Sequence, residues 1–271
     1  MRPETIAGLG YRVAGVLGRG ASGVVLAATD AEGREVALKV LEPGSPFAPR
    51  FRREVRLLLG HRHPHLVEGL AAHEAEGVLV MERVPARSLQ AELAGGARLG
   101  PEHALALLAQ VGSALAALHA ARVWHRDVKP GNALYDPRAR RAWLADLGLA
   151  KDLDALTRHT EPGQVMGTLA YAPPELFTSE GSAAAGDVYS LGATTFRLLA
   201  GRPPFVGKSP LELTRAVVYD EPPELRLLCP GIPRELASLV EESLSKDAAA
   251  RPAAVELAER AQALGGRVWP S

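Results

Sequence analysis

The stretch "VWHRDVKPGN", residues 123–132, brings acidic, basic and amide side chains together within a few positions. Asp127 can accept or orient the proton of an attacking hydroxyl, and Lys129 can balance charge on a phosphoryl group in transfer. Asn132 can supply an oxygen to a divalent cation. A second acid, Asp146 in "WLADLGLA", can add a carboxylate, since hard cations such as Mg²⁺ prefer oxygen ligands. This spacing predicts a phosphoryl-transfer site, with a surface turn as the alternative for any one residue alone.

A glycine-rich segment, "LGRGASGVV", has Gly18, Gly20 and Gly23 in G-x-G-x-x-G spacing. Glycine lets the backbone approach a phosphate closely and leaves its amide groups free to face it. A dinucleotide-binding version of this pattern opens a helix, whereas here "GVVLAAT" continues as a strand. The segment therefore predicts a glycine-rich flap between two strands, with an ordinary glycine turn as the open alternative.

A lysine and a glutamate follow the glycine segment. In the strand "VALK", alternation places Lys39 on the same face as the small Ala37. The next predicted helix, "PRFRREVRLLLG", contains one acidic residue, Glu54. An ammonium group aimed at phosphates needs an orienting anion, and Glu54 is the candidate on that helix. Exposure of both side chains to solvent stays open as the alternative.

The pattern of elements changes along the chain. Short β-branched runs separated by turns fill the first eighty residues, with one helix among them, and helical patterns dominate after about residue 85. Further helices are expected from Ser88 to Gly95, from Pro101 onward, and at about 184–200, 209–218, 233–245 and 252–264. The organisation predicts a small strand-rich lobe, a connector and a larger helical lobe, and a cleft between such lobes is a usual ligand site.

Composition excludes several classes of function. The 271 residues carry 31 basic and 31 acidic side chains, so no global field favours nucleic acid or anionic lipid. The single cysteine, Cys229, cannot form an internal disulfide and fits a reducing compartment. The start has no signal-peptide pattern, and the apolar run from Ala104 is interrupted by polar residues, which favours a buried helix over a membrane span. We expect a cytoplasmic location.

Taken together, "GRGASGVV", "VALK", "HRDVKPGN", "DLG" and "GTLAYAPPE" resemble the signature set of the eukaryotic-type (Hanks-type) protein kinases, in order along the chain. The resemblance runs from about Tyr11 to about Leu264, and an abundance of Ala, Gly, Arg and Pro is typical of a GC-rich, bacterial source. It implies an α+β, bilobal kinase fold with a small antiparallel-sheet N-lobe, one key helix and a larger, mainly helical C-lobe. The expected boundaries of this single domain, 1–271, are about 8–84 for the N-lobe, 82–87 for the connector and 88–266 for the C-lobe.

The resemblance implies a nucleotide site that binds ATP. Lys39 would hold the α- and β-phosphates and pair with Glu54, Met81 would be the gatekeeper, and the backbone of Glu82 and Val84 would bond adenine. Apolar side chains of the flap, the lysine strand and the C-lobe would sandwich the base. The expected members of the site are Leu17, Gly18, Arg19, Gly20, Ala21, Ser22, Gly23, Val24, Val25, Ala37, Lys39, Met81, Glu82, Val84 and Leu134.

The same resemblance assigns the catalytic groups. Asp127 would be the catalytic base, assisted by Lys129 and contacted by Thr168, and Asn132 and Asp146 would ligate Mg²⁺, with Mn²⁺ as a second candidate. Supporting residues are also implied: His125 and Leu147 as packing residues, a Glu175–Arg251 pair, and Asp187 as the anchor of the catalytic loop.

Substrate class and regulation follow from two segments. Lys129 and the "GT" of Gly167–Thr168 indicate Ser/Thr protein substrates. Autophosphorylation is expected at Thr157 or Thr160, where a phosphate would meet the Arg126 guanidinium. Activation through a homodimer stays open, as does the question of whether the chain is complete or the catalytic part of a receptor.

Departures from the family pattern and rival functions complete the interpretation. "DLG" and "PPE" replace the commoner DFG and APE, and Ser22 stands where an aromatic residue is frequent.

A pseudokinase that binds nucleotide without turnover is the main rival. Its usual mark is loss of the strand lysine, the catalytic Asp or the metal Asp, and all three are present here. A small-molecule kinase is the third candidate, against which "GTLAYAPPE" counts.

Overall fold

The computed structural model describes residues 3–20, 23–42, 44–147, 162–178 and 183–268. The chain divides into two compact units, Met1–Pro85 and Ala86–Ser271. Unit 1 is mainly a β-sheet and unit 2 is mainly helical.

Unit 1 contains a five-stranded antiparallel sheet. Its strands are β1 (Arg12–Gly20), β2 (Gly23–Thr29), β3 (Glu35–Val40), β4 (Gly69–His73) and β5 (Val78–Glu82). Their order in the sheet is β1-β2-β3-β5-β4. Its helices are α1 (Pro3–Gly8) and α2 (Ala48–Gly60). The hairpins are short because the chain turns at glycine-bearing segments, as in the Asp30–Gly33 turn, where the Gly33 N–H donates to the Asp30 carbonyl.

The sequence of β3 explains how this sheet is buried on both faces. Five of its six residues are buried, the exception being Glu35. Val36, Leu38 and Val40 belong to one apolar cluster that also includes Ile6 of α1. Alternation sends Lys39 to the opposite face of the strand. The strand therefore anchors the sheet through one set of side chains while the other set presents the lysine.

Helix α2 is amphipathic. It begins with a proline in its first turn, which suits the fixed φ of proline. Its buried residues, Phe51, Glu54, Val55 and Leu58, form one stripe. The helix approaches β4 so closely that a Cβ on Gly69 would lie 2.9 Å from the backbone carbon of Leu58. Glycine at that position sets the distance between the helix and the sheet.

Unit 2 is built on helices and one small sheet. Its helices are α3 (Leu89–Glu92), α4 (Pro101–Ala120), α5 (Pro162–Leu169), α6 (Glu175–Thr178), α7 (Ala183–Ala200), α8 (Pro210–Tyr219), α9 (Leu225–Leu228), α10 (Arg234–Ser243) and α11 (Ala254–Val268). Its strands are β6 (Arg87–Ser88), β7 (Ala133–Asp136) and β8 (Arg141–Leu144), in that order in the sheet. Helix α7 is buried along nearly its whole length and packs against α4 and α10.

Helix α4 is the apolar helix that the sequence predicts from Pro101. It packs against α7, α11 and β8. Among the described residues it is the one helix long and apolar enough to cross a membrane, and half of its most apolar window is buried inside the protein. Core helices share this length and composition, so the buried position agrees with the expected core helix.

Most of the predicted helices are confirmed, including α2, α4, α7, α8, α10 and α11. The helix expected from Ser88 to Gly95 is shorter. Ser88 caps it by accepting a hydrogen bond from the Ala91 N–H, but α3 ends at Glu92 and Gly95 adopts a φ of 67°, which interrupts the helix. Helix α1 and strand β4 were not predicted.

Candidate active site

A buried ion pair joins the strand lysine of unit 1 to helix α2. The Lys39 Nζ lies 2.6 Å from the Glu54 Oε1, and the two side chains are 7% and 8% exposed. The solvent-exposed alternative for these residues is therefore wrong, and the predicted contact between them is confirmed. A buried ammonium group held by a carboxylate is fixed in position, because neither side chain can turn to water.

The glycine-rich segment forms the hairpin of β1 and β2. Gly20 pairs with Gly23, and Gly18 pairs with Val25. Gly23 has a φ of 137°, and a Cβ there would lie 2.1 Å from the carbonyl oxygen of Val40. This glycine is required because the hairpin packs directly on β3. Leu17, by contrast, is half exposed, at 51%.

The expected adenine contacts of unit 1 lie at the end of β5 and just after it. Met81 is buried and pairs with Ala37 across the sheet. The N–H of Glu82 donates to the Glu68 carbonyl, and the Glu82 carboxylate accepts from the Glu68 N–H, both at 2.9 Å. Val84 follows the strand and is half-buried. The Glu82 N–H is therefore already engaged within unit 1.

In unit 2, a buried carboxylate on α7 holds the loop of residues 123–132. Asp187, which is 1% exposed, accepts hydrogen bonds from the backbone N–H groups of His125 at 2.8 Å and Arg126 at 2.6 Å. The His119 Nε2 lies 2.9 Å from the same carboxylate. Arg126 has a φ of 62°, in the left-handed region that residues other than glycine seldom adopt. The hydrogen bond from its N–H to Asp187 stabilises this conformation. The anchoring role implied for Asp187 agrees with these contacts.

The ring of His125 positions the backbone next to Asp127. Its Nδ1 accepts from the Asp127 N–H at 3.3 Å, and its Nε2 donates to the Ala145 carbonyl at 3.1 Å. These partners require the neutral ring protonated on Nε2. Burial lowers the pKa of His125, and the nearby carboxylates, Asp187 first among them, only partly oppose that effect. His125 is therefore neutral at neutral pH.

Three of the predicted catalytic residues and one predicted metal ligand, Asn132, lie together in unit 2. The Lys129 Nζ is 3.0 Å from the Asp127 Oδ2 and donates to the Thr168 Oγ1 at 3.3 Å. The Asn132 Nδ2 donates to the Asp127 Oδ2 at 2.8 Å and to the Asp127 carbonyl at 2.9 Å. These contacts fix the Asp127 carboxylate between an ammonium and an amide.

The backbone brings together the two segments that carry the predicted metal ligands, Asn132 and Asp146. The Ala145 N–H donates to the Asn132 carbonyl at 2.8 Å, which holds the start of the "DLG" segment beside Asn132. Asp146 has a φ of 57° and is partly exposed. Both hydrogen bonds from the Asn132 side chain to Asp127 use Nδ2, so its Oδ1 takes part in neither of them. An amide oxygen and a carboxylate are donors that a hard divalent cation binds together with phosphate oxygens and water. Within the described ranges, no group of three His, Cys, Asp or Glu side chains forms a self-sufficient metal site.

A second ion pair stabilises unit 2 away from these residues. The Arg251 guanidinium binds both oxygens of Glu175, at 2.7 and 2.9 Å, and also donates to the Ala185, Ser245 and Lys246 carbonyls. Its side chain is fully buried. The implied Glu175–Arg251 pair is confirmed.

Some sequence predictions fall outside the described residues, and two contacts were missed. The structure does not describe four of the predicted residues, which are Ala21, Ser22, Thr157 and Thr160. Leu134 lies in β7 and is half-buried, next to the catalytic loop in sequence.

The missed contacts involve His119 and Trp124. His119 is one of the polar residues that interrupt the apolar run of α4, and its Nε2 reaches the Asp187 carboxylate. The ring of Trp124 lies 5.8 Å from the Arg126 guanidinium carbon. The sequence offered one signal for the His119 contact, a polar residue in the last turn of an otherwise apolar helix. It offered no signal for the Trp124 contact.

The buried lysine–glutamate pair of unit 1 and the Asp–Lys–Asn cluster of unit 2 are the groups that a phosphotransferase uses to bind phosphates and activate a hydroxyl. The model of the family "Protein kinase domain" matches residues 11–261. The chain belongs to this family.

Several curated bacterial proteins are similar to the chain. The serine/threonine-protein kinase PknA of Mycobacterium tuberculosis is 37% identical over 253 residues, which cover 89% of this chain and 58% of PknA. PkaB of Streptomyces coelicolor is 37% identical over 94% of the chain and 63% of its own length. Pkn2 of Myxococcus xanthus is 38% identical over 92% of the chain and 32% of its own length. The chain thus spans less than two thirds of the length of these relatives.

A solved structure supports the fold. The crystal structure of Rad53 residues 1–466 in complex with AMP-PNP superposes with a TM-score of 0.77 at 24% identity, covering 93% of this chain and 64% of Rad53. The predicted α+β kinase fold, with an antiparallel-sheet N-lobe and a helical C-lobe, is confirmed.

Proposed function

We propose that the chain is an active serine/threonine-protein kinase domain that transfers the γ-phosphoryl group of ATP to hydroxyl groups of protein substrates. In this proposal the two units act as one catalytic domain, with unit 1 as the N-lobe and unit 2 as the C-lobe. The cluster of Asp127, Lys129 and Asn132 carries the proposal most directly, because it orients a carboxylate for use as a base beside a cation.

The proposed mechanism is direct transfer. Asp127 accepts the proton of the Ser or Thr hydroxyl as its oxygen bonds to the γ-phosphorus, and ADP leaves with the electrons of the broken P–O bond. Lys129, held between Asp127 and Thr168, neutralises charge on the phosphoryl group in transfer. No covalent enzyme intermediate is required, so the contribution of these residues is position and electrostatics.

Unit 1 would bind the nucleotide. Lys39, fixed by Glu54, would hold the α- and β-phosphates, and the β1–β2 hairpin would cover them with backbone amides. The Glu82 N–H donates to the Glu68 carbonyl, which restricts a Glu82 contact with adenine to its carbonyl. The similar Rad53 structure is a complex with AMP-PNP, which agrees with a nucleotide site in this fold.

Asn132 and Asp146 would hold the divalent metal that protein kinases use, and Mg²⁺ is the proposed ion, with Mn²⁺ as a substitute. The ion would neutralise charge on the phosphates as the γ-phosphoryl group departs. An amide oxygen and one carboxylate are a modest protein contribution, which is typical of Mg²⁺ bound jointly with phosphates.

Asp127→Asn tests the catalytic assignment. It should lower kcat by about 10²- to 10⁴-fold, because a general base is lost, while leaving ATP affinity unchanged in a direct binding assay. Asp220→Asn, which removes an exposed carboxylate just after α8, is the matched control and should keep full turnover. Near-normal turnover in Asp127→Asn would contradict the assignment.

The same assay separates the proposal from a pseudokinase. A pseudokinase would bind ATP in the wild type with no transfer to any generic Ser/Thr substrate. Asp146→Asn should abolish the metal dependence of ATP binding in the proposed enzyme. Nucleotide affinity that is independent of both metal and Asp146 would favour the scaffold function.

Other features of the whole protein stay proposals. They include autophosphorylation of the activation segment, activation through a homodimer and a cytoplasmic location. The chain spans 58% of PknA. For the whole protein we therefore propose only the substrate class, which is the hydroxyl group of Ser or Thr in a protein.

A further inference from the structure

The side chain of Lys246 reaches from the segment after α10 to the last turn of α8. Its Nζ donates to the Val217 carbonyl at 2.5 Å and lies 3.4 Å from the Ala216 carbonyl oxygen. The same Nζ lies 3.9 Å from the centre of the Phe205 ring, which is buried shortly before α8 begins. One ammonium group therefore joins the end of α8 to the segment that precedes the helix.

The sequence of α8 does not stabilise its own last turn. Residues 216–219 contain no basic side chain, and two exposed acidic residues, Asp220 and Glu221, follow directly. Negative charge at the C-terminus of a helix opposes the helix dipole, whereas a cation there is favourable. The turn also ends in β-branched and aromatic residues, which have modest helix propensity. Lys246 supplies both the cation and a donor for a terminal carbonyl group.

The backbone at the base of the Lys246 side chain is held in place. The Arg251 guanidinium, which is paired with Glu175, donates to the Ser245 carbonyl at 2.8 Å and to the Lys246 carbonyl at 3.3 Å. Helix α6, which begins at Glu175, also contacts α8. Lys246 therefore holds α8 from a point that a buried ion pair fixes.

Helix α8 is connected to the catalytic cluster through α5. The two helices pack against each other, and α5 carries Thr168. The Thr168 Oγ1 accepts a hydrogen bond from the Lys129 Nζ at 3.3 Å, and the same Nζ lies 3.0 Å from the Asp127 Oδ2. A continuous series of contacts thus runs from Lys246 through α8 and α5 to Asp127.

We propose that Lys246 is a positioning residue for phosphoryl transfer. It fixes the last turn of α8, and through α5 it holds the Thr168 hydroxyl beside Lys129. The effect on activity rests on the proposed kinase function, whereas the ordering of α5 by Lys246 does not. Coupling between two positions shows as non-additive effects in a double-mutant cycle, so the test pairs Lys246 with Thr168.

The first measurement is steady-state kinetics of single variants. Lys246→Met keeps the length of the side chain without its donors, and it should lower kcat by about tenfold, since a misplacement of about 1 Å can cost about 10²-fold. The KM for ATP should not change, because the proposed nucleotide contacts lie in unit 1. Lys246→Arg keeps a cation and should restore most of the kcat. Lys208→Met removes an exposed lysine at the other end of α8 and should behave as wild type does.

The double-mutant cycle separates positioning from a general effect on stability. Thr168→Val removes the hydroxyl group and keeps the shape of the side chain. If Lys246 acts through that hydroxyl group, adding Lys246→Met to Thr168→Val should lower kcat by less than about twofold further. Losses that multiply would overturn the proposal, as would a wild-type kcat in Lys246→Met.

Amide hydrogen exchange tests the ordering of α5 without catalysis. Lys246→Met should speed exchange in α5 and α8 and leave α4 as in wild type, and Lys246→Arg should show wild-type exchange. Equal acceleration in α4 would overturn the proposal in favour of a purely structural role. Where Lys246→Met does not fold, Lys246→Gln, which keeps a donor without the charge, takes its place with the same expected exchange. A wild type without turnover that shows the expected exchange would count against the kinase function and not against the ordering of α5.

Discussion

The Lys39–Glu54 ion pair gives the sharpest stability prediction. Its atoms are 2.6 Å apart and its side chains are 7% and 8% exposed, so water cannot replace a missing partner. Breaking a buried pair by removing one partner costs about 3 to 5 kcal/mol, because the remaining charge is left buried. We therefore expect Glu54→Gln to lower the free energy of unfolding of unit 1 by about 3 kcal/mol or more.

Removing both charges should restore much of that stability. Replacing a buried ion pair by apolar residues of similar volume is often neutral or stabilising, so the double variant Lys39→Met/Glu54→Leu should recover at least about 2 kcal/mol relative to Glu54→Gln. The exposed Arg83–Glu35 pair is the matched control. The Arg83 Nη1 lies 2.7 Å from the Glu35 Oε1, but the Glu35 side chain is 69% exposed. Glu35→Gln should cost less than about 1 kcal/mol.

The assay must report on unit 1 alone. Trp124 and Trp143, the tryptophans among the described residues, belong to unit 2, so their fluorescence follows that unit and serves as an internal control. Amide hydrogen exchange in β2, β3 and β5 measures the opening free energy of the unit 1 sheet. Wild-type protection of these strands in Glu54→Gln would refute the reasoning. A double variant less stable than Glu54→Gln would refute it too.

Three further predictions concern other parts of the chain. Glu175→Gln should lower the stability of unit 2 by about 3 kcal/mol, because it leaves the buried Arg251 guanidinium without its carboxylate; tryptophan-detected urea unfolding measures this. Gly23→Ala should loosen the β1–β2 hairpin and raise the KM for ATP, because a Cβ at that position would lie 2.1 Å from the carbonyl oxygen of Val40. Gly18→Ala is the control and should leave stability unchanged, because the space around Gly18 is open. Stability should fall as the pH drops below about 6.5, because the unfolded state binds a proton on His125 there while burial keeps the pKa of His125 lower in the folded state. Urea unfolding at several pH values measures this effect, and the free energy of unfolding should depend less steeply on pH in His125→Gln.

Each of these predictions has a clear contrary result. Glu242→Gln breaks the partly exposed Arg260–Glu242 pair and should change unit 2 stability little; an effect equal to that of Glu175→Gln would contradict the burial argument. Wild-type hairpin exchange and KM in Gly23→Ala would contradict the packing argument. An unchanged pH slope in His125→Gln would show that other groups carry the acid sensitivity.

The local motifs were predictable from sequence because their chemistry is local. The glycine spacing, the lysine strand and the "HRDVKPGN" loop each depend on neighbouring residues, and the structure brings Asp127, Lys129 and Asn132 into contact. Helix α4 was predictable because a long apolar run with a proline in its first turn has few alternatives.

Other features were not predictable because they depend on distant contacts. Helix α1 has six residues, and its position is set by Ile6 packing against strands far along the chain. Strand β4, "GLAAH", lacks β-branched residues and forms because β5 pairs with it. The contact of His119 with Asp187 spans 68 positions, so no local pattern could reveal it.

The most direct test of the central claim is a transfer experiment with γ-labelled ATP, Mg²⁺ and a generic protein substrate, comparing wild type with Asp127→Asn. The account predicts label on Ser or Thr of the substrate with wild type, and a loss of about 10²-fold or more with Asp127→Asn. Label transfer at equal rates by both proteins, or no transfer by wild type while ATP is bound, would contradict it.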